Sequence, residues 1–488
     1  MTRHRLGTDP GSNRRRPPAA HRATLIPGAR STTKSIPPLD LLWLLIESPG
    51  STTHVGALLL FKKPADRRPV AREIVEAYRA AKPAPPFNYV PELRGGGAPH
   101  FREVAHWDPH YHVQHLALPA GASYDDLLRL VAELHEPTLD RDRPLFRCWV
   151  IDGVPGGRFA IYTKTHHSII DGASGMQILY AGLARSARRG VPTPGFALGL
   201  PEPKAHPPQP FIERISDSIR AAVTELGALN DVSLGALRKT LAGLAGAQLE
   251  GSLPFTAQHA PTNEPLRMAR TFATLSLPLE EMHEVGRHFD ATLNDVAATI
   301  VDAGLHRYLR ETGRAFAHRF NAFIPVSLRG DGDSAIGTRV SAMFVPLGEP
   351  AAAAPERLRQ VVASIASGKK ELRAMSKNAA MTYAVGIVGL AGLAASTHLD
   401  RVGHPAANLV ISNVPGARET RYLNGARLVG IYPISALAAS IGLNATLTSY
   451  HDRMDFGFIA NAVPLYDLPQ LARHTLAAYE ELKAAVGK

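Results

Sequence analysis

The 488-residue sequence predicts a mixed α/β fold of two similar halves joined by a helical linker. Strand-like and amphipathic helical segments alternate on both sides of a proline-rich stretch, and the chain is longer than one ordinary core accommodates. We therefore predict a disordered basic tail at 1–36, an N-terminal domain at 37–191, a linker with two amphipathic helices at 192–266, and a C-terminal domain at 267–488.

The N-terminal half shows the strand period of two most clearly in residues 158–165, where Phe159, Ile161 and Thr163 alternate with Ala160, Tyr162 and Lys164. Further strands are predicted at 55–61, 112–119 and 148–153. A helix is predicted between the last two of these, at 124–134. A sheet covered by helices accounts for this order of elements.

The linker begins with seven prolines in residues 192–210. Two apolar stripes follow at helical spacing, and they predict two amphipathic helices within 212–244. After the linker, the second half repeats the mixture of strands and helices. Its strands are predicted at 271–278, 319–329, 338–347, 408–416, about 440–450 and 454–460, and its helices at 293–313 and 468–482.

The N-terminal tail holds most of the positive charge. Residues 1–35 carry eight basic residues against the single acid Asp9, which gives +7 of the chain's net charge of +11. A segment so rich in Arg, Pro, Ser and Gly has little to bury and should be disordered. Two interpretations stay open for it, a solvated leader and a segment attracted to an anionic membrane or nucleic acid.

The apolar segment at 379–396 contains no charged residue over 18 positions, which is the lower limit for a membrane span. Its many Ala and Gly residues contribute little transfer free energy. We therefore expect a buried or membrane-touching helix whose small residues permit close packing. Cys148 is the only cysteine, which excludes an intrachain disulfide framework and a multi-thiolate metal site and fits a reducing, cytoplasmic setting.

The sequence KTHHSIIDG at 164–172 holds the main candidate site residues, His166, His167, Asp171 and Gly172. Adjacent histidines on a strand point to opposite faces, so both cannot easily bind one metal ion. The nearby GASGM has Met176 where a serine nucleophile elbow needs glycine. Metal and serine-hydrolase chemistry are therefore disfavoured.

Two interpretations of this segment remain from the residues alone. Asp171 precedes a helical pattern, where aspartate is a favoured N-cap, and the histidines could be polar residues at a strand end. Alternatively, a histidine with a near-neutral pKa acts as a general base that takes a proton from a substrate hydroxyl. Such catalysis needs both substrates to be held together and a donor for the oxyanion.

The HHxxxDG pattern resembles the signature of the acyl-CoA-dependent acyltransferase superfamily, and the rest of the chain, from about 40 to 482, resembles the bacterial wax ester synthase/diacylglycerol acyltransferase family. Two positions depart from the family pattern, Phe146 in place of Trp and Thr338 in place of Asn. Because of them, the resemblance does not determine the preferred acyl chain length or the shape of the acceptor. The other matching segments are THVGALLLF (53–61), LDRDRPLF (139–146), LNDV (293–296), IPVSLR (324–329), GTRVSAMFVPL (337–347) and ISNVPG (411–416).

The resemblance implies two chloramphenicol-acetyltransferase-like domains that meet at a central channel. It implies His167 as the general base, Asp171 as a residue that orients the loop, and His166 as a supporting residue. Asn294 and Asp295 are implied near the site, where they bind substrate or shape the site. No metal and no bound cofactor are implied, because acyl-CoA is a substrate.

The implied activity is transfer of a long-chain acyl group from acyl-CoA to diacylglycerol or a fatty alcohol, without a covalent acyl-enzyme. The alternatives are a condensation-type acyltransferase that uses a carrier-protein donor and an inactive lipid-binding homologue. Because the product is insoluble, we expect a cytoplasmic protein peripherally bound to the membrane or to lipid droplets, with no nucleic acid partner. The helix at 379–396, the amphipathic linker and the basic tail are candidate contacts.

Overall fold

The fold is seen in a computed structural model that describes most of the chain as two six-stranded sheets with helices. The described residues are 33–66, 69–94, 98–200, 254–327, 340–396, 403–437 and 440–486. The two predicted amphipathic helices of the linker and residues 1–32 of the predicted tail lie outside these ranges. The mixed α/β class predicted from the sequence is confirmed.

The strands are β1 (Thr33–Ser35), β2 (His54–Lys62), β3 (Tyr89–Glu92), β4 (His100–Glu103), β5 (Val113–Ala117), β6 (Phe146–Val154), β7 (Arg158–His166), β8 (Arg270–Pro278), β9 (Asn321–Ser327), β10 (Val340–Pro346), β11 (Leu409–Val414), β12 (Tyr422–Leu423), β13 (Ala426–Ile434), β14 (Leu443–Tyr450) and β15 (Arg453–Asn461).

The helices are α1 (Pro38–Ile46), α2 (Val70–Ala80), α3 (Pro109–His112), α4 (Tyr124–His135), α5 (Gly172–Ala181), α6 (Gly195–Leu198), α7 (Leu279–His288), α8 (Leu293–Glu311), α9 (Ala354–Ala374), α10 (Lys377–Ser396) and α11 (Leu468–Ala484).

The first sheet has the strand order β12-β13-β2-β7-β6-β5. Its centre is the antiparallel pair β2–β7, whose register runs unbroken from His54–His166 to Lys62–Arg158. The alternation seen in the sequence of β7 therefore divides its side chains between two buried faces. One face packs against α5, and the other packs against α4 and the second domain.

The second sheet has the order β10-β9-β11-β14-β15-β8 and is mixed, because β11 runs parallel to both β9 and β14. Helices α7, α8, α9 and α11 cover one face and bury the largest apolar cluster of the described residues there. The opposite face turns toward the first domain. This packing leaves a space between the two halves that becomes the central cavity.

Two segments form strands that the predicted division of the chain did not anticipate. Residues 422–434 lie inside the predicted C-terminal domain, and their strands β12 and β13 belong to the first sheet, where β13 pairs with β2. Residues 33–35 lie inside the predicted disordered tail, yet they form β1 and pair with β4. Strand pairing joins segments far apart in sequence, which local composition cannot reveal.

The helix predicted at 379–396 is observed as α10, and close packing by its small residues is confirmed. A Cβ atom on Gly392 would lie 2.5 Å from the Cγ2 atom of Ile46, so α1 crosses α10 where only glycine fits. The described end of the linker is also packed, since the Asn263 amide donates to the carbonyls of Ala407 and Ser440. No helix within the described ranges is long and apolar enough to cross a membrane.

The exchanged strand β13 is held to the second sheet by Asp455 of β15. Its carboxylate accepts hydrogen bonds from the Ile431 backbone N–H at 2.9 Å and from the Ser276 hydroxyl at 2.5 Å. The Arg453 guanidinium adds a bond to the Val429 carbonyl at 2.9 Å. Burial raises the pKa of Asp455 to about 6 despite these donors.

We predict that Asp455→Asn removes a pH-dependent part of the stability. A carboxyl group whose folded pKa is raised from 3.8 to about 6 contributes stability that is fully present below pH 3.8 and is lost as the pH rises through 6. The shift corresponds to about 3 kcal/mol. Between pH 4 and 7 the melting temperature should therefore fall more steeply in the natural protein than in the variant. If the two melting temperatures changed in parallel with pH, the raised pKa of Asp455 would be contradicted.

Candidate active site

The two halves enclose a cavity of about 380 Å³ with His167 and Asp171 in its lining. Part of its lining comes from β2, β6, β7 and α5, and we call these residues the N-terminal arm. Another part comes from β9, β10, β11, β14, α1 and α10, and we call these residues the C-terminal arm. Both arms are mostly apolar, so the cavity suits molecules with long apolar parts.

His167 follows directly after β7 and is half-buried at the cavity. Its backbone N–H donates to the Thr53 carbonyl at 2.9 Å, and its ring stacks on the Trp43 indole with a centroid separation of 4.5 Å. The Thr53 hydroxyl in turn donates to the Trp43 carbonyl at 3.0 Å. These contacts fix both the strand end and the plane of the imidazole ring.

Burial lowers the pKa of His167, and the neighbouring His166 acts in the same direction. The carbonyl of His167 itself and the Asp171 carboxylate raise it, but the net direction is downward. Nδ1 is buried and bonds to no other described residue. A neutral imidazole with Nε2 left to meet a ligand can accept a proton at neutral pH, as a general base must.

His166 lies on the other face of the strand end and is fully buried, outside the cavity lining. Its Nδ1 accepts the Ser168 backbone N–H at 3.1 Å, so Nε2 carries the proton and donates to the Thr53 hydroxyl at 3.0 Å. The Glu47 carboxylate lies 3.6 Å from the same nitrogen. His166 therefore contacts the loop on the face away from the cavity lining.

Glu47 connects His166 to Arg141 inside the protein. Its second carboxylate oxygen accepts from the Arg141 guanidinium at 3.0 Å, and its side chain is only 3% exposed. Burial by itself raises the pKa of Glu47, but the hydrogen bonds and charges of His166 and Arg141 outweigh this effect and lower it. A buried charge needs such partners, and removing one of them would leave the others unpaired.

Asp171 is the N-cap of α5, where its Oδ1 accepts the Ser174 backbone N–H at 2.7 Å. It is 7% exposed and lines the cavity. The helix-cap interpretation and the orienting interpretation therefore describe the same bond, which fixes the loop that carries His167. At Gly172 a Cβ atom would lie 3.5 Å from the Val414 side chain of β11, so this loop meets the second sheet there.

Asn294 and Asp295 are not among the residues that line the cavity, and their expected role in binding substrate or shaping the site stays a prediction. Asp295 forms a capping box with Thr292 at the start of α8, with its carboxylate accepting the Thr292 backbone N–H at 2.8 Å. The Asn294 amide oxygen accepts from Asn413 at 2.6 Å, and Asn413 lines the cavity. Asn294 therefore lies one hydrogen bond away from the cavity.

The comparisons with known proteins cover nearly the whole described chain. The family model described as the wax ester synthase/diacylglycerol acyltransferase catalytic domain matches residues 36–297, and its C-terminal domain model matches residues 336–483. The chain belongs to the wax ester synthase/diacylglycerol acyltransferase family. The resemblance drawn from the sequence is confirmed.

Relatives of this family member include the O-acyltransferase WSD of Acinetobacter baylyi, which is 30% identical over 92% of this chain and 99% of its own. A Mycobacterium tuberculosis protein that carries the name diacylglycerol O-acyltransferase is 32% identical over 93% and 98%, respectively. The solved wax ester synthase/diacylglycerol acyltransferase of Marinobacter aquaeolei VT8 is 27% identical, with a TM-score of 0.73 over 93% of this chain and 100% of that one. A condensation domain of an antibiotic synthetase shares only the fold, at 19% identity and a TM-score of 0.55.

Sequence reasoning missed several residues of this acyltransferase-family site, among them Trp43, Glu47 and Thr53. Another is Asp40 of α1, whose pKa is raised to about 8 by burial and then by the charge of Asp171. The sequence signal that could have revealed Asp40 and Glu47 is that two acidic residues lie within the otherwise apolar segment LDLLWLLIES. Buried carboxylates are uncommon unless they have a partner or a role. Among the described residues, no group of His, Cys, Asp and Glu could hold a metal ion.

We predict that the variants Asp171→Asn and Asp171→Ala distinguish the helix-capping role of Asp171 from the effect of its charge on the pKa of His167. Asparagine keeps the N-cap bond to Ser174 but loses the charge that raises the pKa of His167. The Asn variant should keep its thermal stability while the pKa of His167, measured by NMR titration of its ring, falls further. The Ala variant should also lose about 1 kcal/mol of stability. Equal stabilities with an unchanged His167 pKa would contradict both roles.

Proposed function

We propose that the protein transfers a long-chain acyl group from acyl-CoA to the hydroxyl group of diacylglycerol, a fatty alcohol or both. The products are triacylglycerol or wax ester, together with CoA. The observation that carries the proposal is a histidine of lowered pKa that stacks on Trp43 and lines a mostly apolar cavity. The names of the relatives, diacylglycerol O-acyltransferase and O-acyltransferase WSD, support it.

In this mechanism Nε2 of His167 removes the proton of the acceptor hydroxyl while that oxygen attacks the thioester carbonyl. The tetrahedral intermediate collapses, the C–S bond breaks, and the imidazolium returns the proton to the leaving CoA thiolate. Trp43 and Thr53 hold the imidazole in place throughout. Ser412 and Asn413 of β11 add polar side chains to the cavity lining that can donate a hydrogen bond to the oxyanion.

No covalent acyl-enzyme is needed, because the two substrates meet at the base. The thiol of Cys148 lines the N-terminal arm, but burial raises its pKa to about 12. A thiol with so high a pKa is almost wholly protonated at neutral pH and is a poor nucleophile. The proposal therefore has acyl-CoA as a substrate and no bound cofactor or metal.

We predict that His167→Gln loses at least 100-fold in kcat, measured as thiol release from palmitoyl-CoA with diacylglycerol or hexadecanol, while the melting temperature stays unchanged. His166→Gln is the matched variant. It should lower the melting temperature, because it disturbs a buried network with Thr53 and Glu47. Near-normal turnover in His167→Gln would refute general-base catalysis.

The same assay tests the two alternative functions. A strong preference for a carrier-bound acyl donor over acyl-CoA would support a condensation-type acyltransferase. Tight lipid binding without CoA release from any acyl donor would support an inactive lipid-binding protein. The ordered His167 site favours an active enzyme over an inactive lipid-binding protein.

We further propose that the protein is cytoplasmic and works at the inner face of the membrane or at lipid inclusions. Helices α1 and α10 both contribute residues to the C-terminal arm. On α1, the side chain of Leu45 is 65% exposed. Exposed Lys370 and Arg373 lie at the end of α9, next to the start of α10. Exposed apolar and basic groups on one protein suit an anionic lipid surface. No nucleic acid partner is proposed.

We predict that Leu45→Asp weakens co-sedimentation with anionic vesicles at least five-fold, because it places a charge where the apolar face would enter the lipid. Val463→Asp is the matched control, since Val463 is 55% exposed and follows β15, outside α1 and α10. Both variants should keep activity on short, water-soluble substrates. Equal vesicle binding of Leu45→Asp and the natural protein would place the lipid contact elsewhere.

A further inference from the structure

A second cavity lies among the helices that cover the second sheet. It has a volume of about 390 Å³ and is formed by α8, α9, α11 and residues 350–353, which precede α9. None of its lining residues lines the central cavity, so the proposed acyl transfer does not use it. A cavity of this volume is in the range of small-molecule sites.

Three arginines line this second cavity, Arg307, Arg310 and Arg357. The Arg357 guanidinium donates to the buried Asp302 carboxylate at 2.5 Å, and Arg307 donates to Glu481. Arg310 is exposed and forms no hydrogen bond or ion pair with another described residue. The two acids therefore balance two of the arginines, and the charge of Arg310 is left over at the cavity.

The N-terminus of α9 opens onto the same cavity. Its N-cap is Ala353, which has no side-chain acceptor, and both Ala353 and Ala354 belong to the lining. Their backbone N–H groups bond to no other described residue. Glu356 of the first turn pairs with Arg359 instead. Backbone N–H groups that no side chain satisfies, at the positive end of the helix dipole, favour an anion.

His306 reports the positive potential at the wall of the cavity. It belongs to the lining and is only 4% exposed. Burial, and then the charges of Arg357 and Arg310, lower its pKa to about 3. Its Nε2 forms no hydrogen bond with another described residue and lies 3.6 Å from Oδ1 of Asp302. The wall thus combines positive potential with a buried polar atom that no described residue satisfies.

We propose that this second cavity binds a phosphate group, which belongs either to a small soluble molecule or to a lipid headgroup. A phosphate monoester carries about two negative charges at neutral pH and three acceptor oxygens. Donors reach the cavity from two helices, the Arg310 guanidinium of α8 and the N–H groups of Ala353 and Ala354 of α9. Several oxygens on one centre accept from both directions at once, which a carboxylate does less well.

The test measures binding to the full-length protein by calorimetry, with inorganic phosphate, glycerol 3-phosphate and acetate as probes. The variants are Arg310→Gln, which removes the unbalanced charge, and Ala353→Asp, which places a carboxylate at the N-cap of α9. Arg473→Gln is the matched control, because Arg473 lies on α11, has a side chain that is 67% exposed and is absent from the lining.

The natural protein should bind phosphate saturably and more tightly than acetate. Arg310→Gln should weaken phosphate binding at least about five-fold, whereas Arg473→Gln should leave it unchanged. Ala353→Asp should weaken it at least about 10-fold, because the new carboxylate both caps the N–H groups and repels the anion. The melting temperature of Ala353→Asp should stay equal or rise, since aspartate is a better N-cap than alanine.

Three results would overturn the proposal: no saturable phosphate binding, acetate binding as tight as that of phosphate, or equal effects of Arg310→Gln and Arg473→Gln. Sedimentation with phosphatidylcholine vesicles, with and without phosphatidate, separates the two sources of the phosphate group. A loss of phosphatidate-dependent binding in Ala353→Asp identifies a lipid headgroup, and a loss confined to the soluble probes identifies a small molecule. Neither measurement depends on turnover, so the result is independent of the proposed acyl transfer.

Discussion

The antiparallel pairing of β2 with β7 is the constraint on which the rest of the site depends. It delivers His166 and His167 to opposite faces at the strand end, one into a buried polar network and one to the cavity. The Thr53 carbonyl of the segment before β2 then holds the His167 backbone. A shift of this register by one residue would exchange the two histidines between faces, so that His166 instead of His167 would face the cavity.

The electrostatics follow from this arrangement. His167 is desolvated enough for its pKa to fall, while the nearby Asp171 carboxylate limits the fall. On the other face, His166, Glu47 and Arg141 satisfy one another in the interior. Separating the two sets by a strand lets one histidine remain a neutral base while the other hydrogen-bonds within a buried polar network.

The second sheet completes the cavity without supplying the base. Strand β13 leaves the second half of the chain, pairs with β2 and is held to β15 by Asp455. At Gly457 a Cβ atom would lie 1.9 Å from the Pro433 carbonyl oxygen, so β13 lies across the second sheet in direct backbone contact. The two domains are therefore joined by shared strands as well as by side chains, which keeps the two arms in a fixed relation to His167.

The sequence by itself determined the features that depend on local order. Alternation determined which side chains of β7 share a face, Asp171 marked the start of a helix, and the spacing from Thr292 to Asp295 is that of a capping box. Only the tertiary structure decided that Trp43 stacks on His167, that Glu47 lies beside His166, that Asn294 pairs with Asn413 and that β13 joins the first sheet. The reason is physical. Local patterns fix the direction of each side chain, whereas its partner, often more than a hundred residues away, is chosen by the packing of whole sheets and helices.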